Sequence, residues 1–188
     1  MYFHCRFVAL FLAFFSFATL AAEQPSSAAA KSKPDPWQPL RRLLGAWEGD
    51  AHGEPGAGKV VRTYAFVLRD RFIQVNNQSV YPPQEKNLKG ETHEDVGYLS
   101  YDRAAKKLML RQFHVESFVN TFALESVSAD GRTIVFVTTA IENIAPGFRA
   151  RETYTFASDD EFTEKFELAE PGKEFALYSE TRFKRQAR

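Results

Sequence analysis

The sequence is poor in cysteine: Cys5 is the only one in 188 residues. A lone thiol excludes a disulfide framework and any metal site built from several thiolates. It also lacks a surplus of either charge, because 24 Lys and Arg balance 24 Asp and Glu. No excess of cations is present to neutralise nucleic-acid phosphates or an acidic lipid surface, so no nucleic-acid partner is expected. After Leu44 the chain has no apolar stripe of helical period long enough for a crossover helix, which argues against a parallel α/β sheet. What is plentiful is apolar and aromatic side chains, 44% and 14% of positions. Such a chain folds, and one of this length buries about 70% of its unfolded surface.

Residues 1–22 read as a cleaved secretory signal peptide. One cation, Arg6, precedes an apolar run from Phe7 to Leu20, broken only by Ser16 and Thr19, and small residues follow to Ala22. The run is shorter than the ~20 apolar residues of a membrane span and no basic cluster follows it. The expected location is secreted or periplasmic, with no stable membrane span after cleavage. Cys5 leaves with the leader, so the core must hold without a disulfide. Residues 23–36 contain no aromatic or branched apolar residue and read as a flexible linker ahead of one domain, residues 37–188.

Trp37 to Leu44 has a short helical apolar period; thereafter alternation of period two dominates. About ten strands are predicted, near residues 45–53, 59–69, 71–81, 95–102, 107–114, 118–127, 133–141, 148–157, 161–169 and 174–185. Asp130-Gly131, Pro146-Gly147 and Pro171-Gly172 supply turn chemistry between them. Short connections imply an all-β, up-and-down antiparallel meander with a short N-terminal helix, and closure into a single β-barrel would remove its exposed edges.

Two hairpins can be registered from the sequence. A three-residue loop at Val115–Ser117 pairs Gln112 with Asn120 and Leu110 with Phe122, and a loop at Arg69–Phe72 pairs Tyr64 with Asn77 and Arg62 with Ser79. In both, one face is apolar at one end and polar at the other. Arg62, Tyr64, Asn77, Gln112, His114 and Asn120 occupy the polar end. Glu152 and Tyr154 lie between Phe148 and Phe156, and Glu164 between Phe162 and Phe166, each on the apolar phase of its strand. That gradient suits a barrel holding a small apolar or amphiphilic ligand, its apolar body inside and its polar head fixed by hydrogen bonds. The candidate ligand-binding residues are Arg62, Tyr64, Asn77, Gln112, His114, Asn120, Glu152 and Tyr154.

Gly45-Ala46-Trp47, preceded by a short helix and followed by a meander, resembles the opening of the calycin superfamily of lipocalins and fatty-acid-binding proteins. The stretch Gly45 to Pro55 is similar to the Gly-x-Trp-x-Gly-x-Gly-x-Gly-x-Tyr-Pro opening of nitrobindin-like haem-binding barrels, with Ala51 in place of a glycine and no Tyr before Pro55. The resemblance implies that Trp47 plugs the closed end beneath a basic residue of the last strand, Arg182 or Arg185. It also implies haem and peroxynitrite isomerisation, yet the chain has no His after His114, where nitrobindin-like proteins carry their iron ligand on one of the last strands. Tyr178 is the remaining oxygen donor there, and strand alternation points it to the opposite face.

Other functional classes have less support in the sequence. His52, His93 and His114, the histidines beyond the leader, match no zinc spacing, and no nucleophile or phosphate loop accompanies them. An acid/base pair of His114 with Glu116 or Glu152 is the remaining catalytic option. His93-Glu94-Asp95 reads as a solvated loop, and the segment Gly53 to Gly58 as a strand connection. A third option is a filled structural barrel, since twelve Phe residues follow the leader, although inward Glu152 and Glu164 speak against it.

Overall fold

The computed structural model describes residues 35–187. The leader, and the linker up to residue 34, lie outside the described residues. A 3-10 turn, Gln38–Leu43, opens the described chain with a Pro in its first turn, and Leu40 and Leu43 face inward from it. Ten strands follow: β1 Gly45–Gly53, β2 Gly58–Val67, β3 Phe72–Tyr81, β4 Glu91–Asp102, β5 Lys107–His114, β6 Val119–Val127, β7 Thr133–Glu142, β8 Arg149–Phe156, β9 Glu161–Ala169 and β10 Ala176–Arg185. Each pairs antiparallel with its chain neighbours, and β10 closes onto β1 through Trp47 opposite Arg185 and Gly53 opposite Ser179. The protein is therefore an all-β, closed ten-stranded antiparallel barrel. Closure pairs every strand on both sides, which satisfies the backbone groups that an open meander would leave at its edges. Among the described residues, no helix is long and apolar enough to cross a membrane.

One end is closed by a buried aromatic core. Trp47, Phe162 and Phe183 are wholly buried. The Phe162 ring meets Trp47 edge-on at 4.7 Å and stacks on Phe183 at the same distance. Trp47 Nε1 donates to the Leu43 carbonyl at 2.6 Å, which ties the 3-10 turn to the barrel floor. Of the two candidate basic residues, Arg185 is the one that covers the indole, its guanidinium 4.2 Å from the ring, while it donates to the carbonyls of Leu44 and Arg42. Gly49 is required by packing: a Cβ there would come within 2.7 Å of the Thr181 methyl and 3.0 Å of Phe183.

Three sequence expectations are corrected. The β2–β3 loop is Leu68–Arg71, one residue earlier than expected, so Arg62 faces Asn77 and Tyr64 faces Val75. Leu68, Arg69 and Asp70 all adopt positive φ, 51° to 59°, a compact left-handed turn without the glycine that would have announced it. Strand β4 begins at Glu91, four residues ahead of Asp95, because β3 runs long enough to pair it, with Ser79 opposite His93 and Tyr81 opposite Glu91. His93-Glu94-Asp95 is thus a strand and not a loop. Finally, a register shift between Leu177 and Ser179 interrupts the alternation of β10. Leu177 becomes exposed, and Tyr178 turns onto Phe166, edge-on at 5.8 Å. The β5–β6 register is as read from the sequence, with Gln112 opposite Asn120 and Leu110 opposite Phe122.

Candidate functional site

The other end of the barrel holds a cavity of about 400 Å³, within the ~300–1,000 Å³ span of ligand pockets. Alternation places Asn77 and Ser79 of β3, His93 and Asp95 of β4, Gln112 and His114 of β5, and Asn120 of β6 on its wall. Phe118, Ile141, Ile144, Phe166 and Leu168 form an apolar side. Arg62, Glu152 and Glu164 also line it, next to the aromatic core, and make the floor. Six of the sequence-predicted residues therefore share one cavity: Arg62, Asn77, Gln112, His114, Asn120 and Glu152. Tyr64 and Tyr154 are buried but do not reach it. Tyr64 hydroxyl lies 3.3 Å from Arg62 Nη1, and the Tyr154 ring packs edge-on against Phe136 at 6.3 Å.

The floor is ionic. Arg62 grips Glu164 through two parallel hydrogen bonds of 2.5 and 2.8 Å, both side chains less than 10% exposed. β1 and β10 separate β2 from β9 in the sheet, so this pair bridges the interior beneath two intervening strands. The guanidinium stands 4.6 Å over the Phe183 ring. Burial would depress the Arg62 pKa, but the Glu164 charge outweighs it and holds the guanidinium well above its usual value. Beside the pair, Glu152 accepts a hydrogen bond from the Tyr154 hydroxyl. Burial, followed by repulsion from Glu164, pushes the Glu152 carboxyl up to about 8, which favours its protonated form.

From the floor a chain of polar contacts climbs to the rim. Arg62 Nε donates to Asn77 Oδ1 at 2.8 Å, and Asn77 Nδ2 donates to Asp95 Oδ2 at 2.8 Å. His93 Nε2 stands 3.4 Å from the same oxygen, while its Nδ1 is 2.8 Å from Glu116 Oε1. His114 Nδ1 approaches His93 Nε2 at 3.4 Å, and its Nε2 faces the Asn120 amide at 3.1 Å. The Asp95 hydrogen bond, opposed by burial and reinforced by Glu116, raises the His93 pKa to about 9. Burial lowers that of His114. For Asp95, burial acts upward, but the His93 hydrogen bond and the Arg62 charge outweigh it, and its pKa lies below the usual carboxylate range. Two buried acceptors in the cavity wall, Asp95 Oδ1 and Gln112 Oε1, have no hydrogen-bond partner among the described residues. Buried oxygens of this kind mark places where a donor from outside the chain would be welcome.

Sequence reasoning leaves four cavity residues out of the ligand-binding set: His93 and Asp95, read as a loop, Glu116, named only as an acid/base partner of His114, and Tyr178, placed on the opposite face. The first two carry the same alternation as Gly97 and Leu99 further along β4, and extending that strand backward would have found them. Glu116 follows, since the β4–β5 register that sets Asp95 against His114 brings residue 116 opposite residue 93. Tyr178 has no such signal, because a bulge is not visible in alternation.

These features define a class: a closed antiparallel barrel with a plugged end and a polar-walled cavity at the other. No protein family matches the chain, and no curated protein matches it either. Among solved structures, the one titled "Crystal Structure of Rv2717c from M. tuberculosis" is similar in fold, with a TM-score of 0.58 at 18% identity over 82% of this chain and 99% of that one. The likeness is one of fold alone.

Proposed function

We propose that the protein is an exported, calycin-like barrel that reversibly holds a small apolar or amphiphilic molecule in its interior. The observation that carries this reading is the cavity, which joins an apolar wall from Phe118 to Leu168 to two unpartnered acceptor oxygens, Asp95 Oδ1 and Gln112 Oε1. A molecule with an apolar body and a hydroxyl or amine head matches both halves. Glu152 on the floor adds a further hydrogen-bonding group, and its raised pKa favours the uncharged form.

Haem, the alternative raised by the nitrobindin-like opening, fits this donor set less well. The two cavity histidines face each other at the rim at 3.4 Å and not a common axial position. The ionic floor would also lie against a macrocycle placed deeper. A filled barrel without ligand is the remaining alternative, and the open cavity speaks against it.

The test is a native mass spectrum of the protein taken from its own exported compartment, recorded before and after organic extraction. The expected result is a mass increment of a few hundred daltons that extraction removes. Protein that is unliganded as isolated, and stays so with mixed fatty acids, long-chain amines and hemin, would overturn the reading. An increment equal to haem would replace it with the alternative.

A further inference from the structure

The rim carries a cluster from which the carrier reading takes Asp95 Oδ1 and the His114 ring, but whose arrangement as a set it leaves unexplained. His93 Nε2 lies 3.4 Å from His114 Nδ1 and 3.4 Å from Asp95 Oδ2, and one donor atom from each of the three residues falls within 4.8 Å of the others. Donor atoms bonded at ~2.0–2.1 Å to a tetrahedral ion stand about 3.3–3.4 Å apart. The two measured separations already match that edge.

The surroundings are those of ligands held ready. His93 turns its other nitrogen to Glu116 at 2.8 Å, the carboxylate–histidine arrangement that keeps the Nδ1 proton, so that an ion would take the place of the proton Nε2 shares with Asp95. His114 sets its Nε2 3.1 Å from the Asn120 side-chain amide, which holds the ring with Nδ1 toward the cluster; ligation through Nδ1 takes the tautomer in which Nε2–H donates to the amide oxygen after a flip of the Asn120 side chain. Asp95 is 93% buried, lines the cavity, and keeps Oδ1 without any partner among the described residues. The Arg62 guanidinium, whose charge Asp95 feels, is committed to Glu164.

We infer that His93 Nε2, His114 Nδ1 and the Asp95 carboxylate form a binding site for a divalent transition-metal ion, Zn²⁺ in preference, at the mouth of the barrel. Two imidazoles select against Mg²⁺ and Ca²⁺, which take oxygen ligands. Three protein ligands leave a fourth position on the cavity side for water or a donor group of a bound molecule, which is the pattern of an open site and not a sealed structural one. His93 and Asp95 lie two apart on β4, and the third ligand, His114, joins them only through the pairing of β4 with β5, so no zinc spacing was visible along the chain. The inference stands without the amphiphile, since the metal alone is the probe.

The test uses the full, untagged chain stripped by chelator and titrated with Co²⁺, whose visible absorption reports tetrahedral nitrogen and oxygen ligation, followed by Zn²⁺ competition. The expected result is one equivalent of Co²⁺ bound, displaced by Zn²⁺, with the affinity reduced about 100-fold or more in His93→Gln and in His114→Gln. Glu116→Gln, which leaves all three ligands in place, is expected to weaken binding about 10-fold. His52→Gln on β1 lies outside the cluster and should change nothing. Far-UV circular dichroism checks that each variant keeps its strands, and Glu116→Gln, altering a half-exposed rim residue, serves if either histidine variant loses the fold. Absence of Co²⁺ absorption in the wild type, or binding indifferent to His93, His114 and Glu116, would overturn the inference.

Discussion

The closed and open ends of the barrel are built from the same strands and the same inward phase, yet they solve opposite problems. On β9, Phe162 belongs to the plug and Glu164, two residues on, to the cavity floor. On β2, Tyr64 stands among buried aromatics while Arg62 carries a buried charge. At the plug the Trp47 indole has its local partner in the Leu43 carbonyl, and aromatic contact supplies the cohesion. At the floor and wall the same burial falls on charges and amides, which are costly to desolvate and must be paired to persist. A barrel needing only stability would have extended the plug.

Substitutions can test that contrast. Phe162→Ala removes the ring that touches Trp47, Phe156 and Phe183; it is expected to cost about 3–5 kcal/mol in urea unfolding. A loss below about 1 kcal/mol would mean that the plug is not the stable half. Glu164→Ala strands the Arg62 charge beside Phe183 and should cost about 3 kcal/mol. The double variant Arg62→Met with Glu164→Leu should recover most of that loss, or exceed the wild type, because matched apolar side chains avoid the desolvation of both ions. A double variant as unstable as the single one would show instead that the ion pair itself holds the barrel together.

The floor also predicts a pH dependence. The folded-state pKa of Glu152, about 8, lies above its ordinary value of 4.5. Between those values the folded protein binds more protons than the unfolded chain, so stability falls as pH rises through this window and levels off above it. The steepest slope from this one group is about 1.4 kcal/mol per pH unit. Glu152→Gln should flatten the profile and leave the protein more stable than wild type at pH 8, measured by urea midpoints across the range. An unchanged slope would show that Glu152 is ionised in the folded state. The smallest effect is expected outside the barrel, where Glu167→Gln breaks a partly exposed pair with Arg151. Its change should stay within about 0.5 kcal/mol.

Much of the architecture could be read from residue order. Alternation located ten strands, the Val115–Ser117 loop registered β5 against β6, and the phase of Glu152 and Glu164 announced carboxylates inside the barrel. The polar wall was legible for the same reason, since Asn77, Gln112 and Asn120 break an otherwise apolar phase. Where reading failed, the cause was local geometry without a residue signature. The β2–β3 turn uses Leu68, Arg69 and Asp70 at positive φ, and the β10 bulge redirects Tyr178 into the cavity.

By itself, then, the sequence determined that the chain is an antiparallel meander with one mixed face, because side-chain period and turn chemistry are local properties. Only the tertiary structure decided which members of that face meet. Arg62 reaches Glu164 across 102 residues of chain because closure brings β2 near β9. His93 meets His114 and Asp95 because β4 is long enough to carry its alternation to the rim beside β5. Register, bulges and closure act between strands, and a period read along one strand contains none of them.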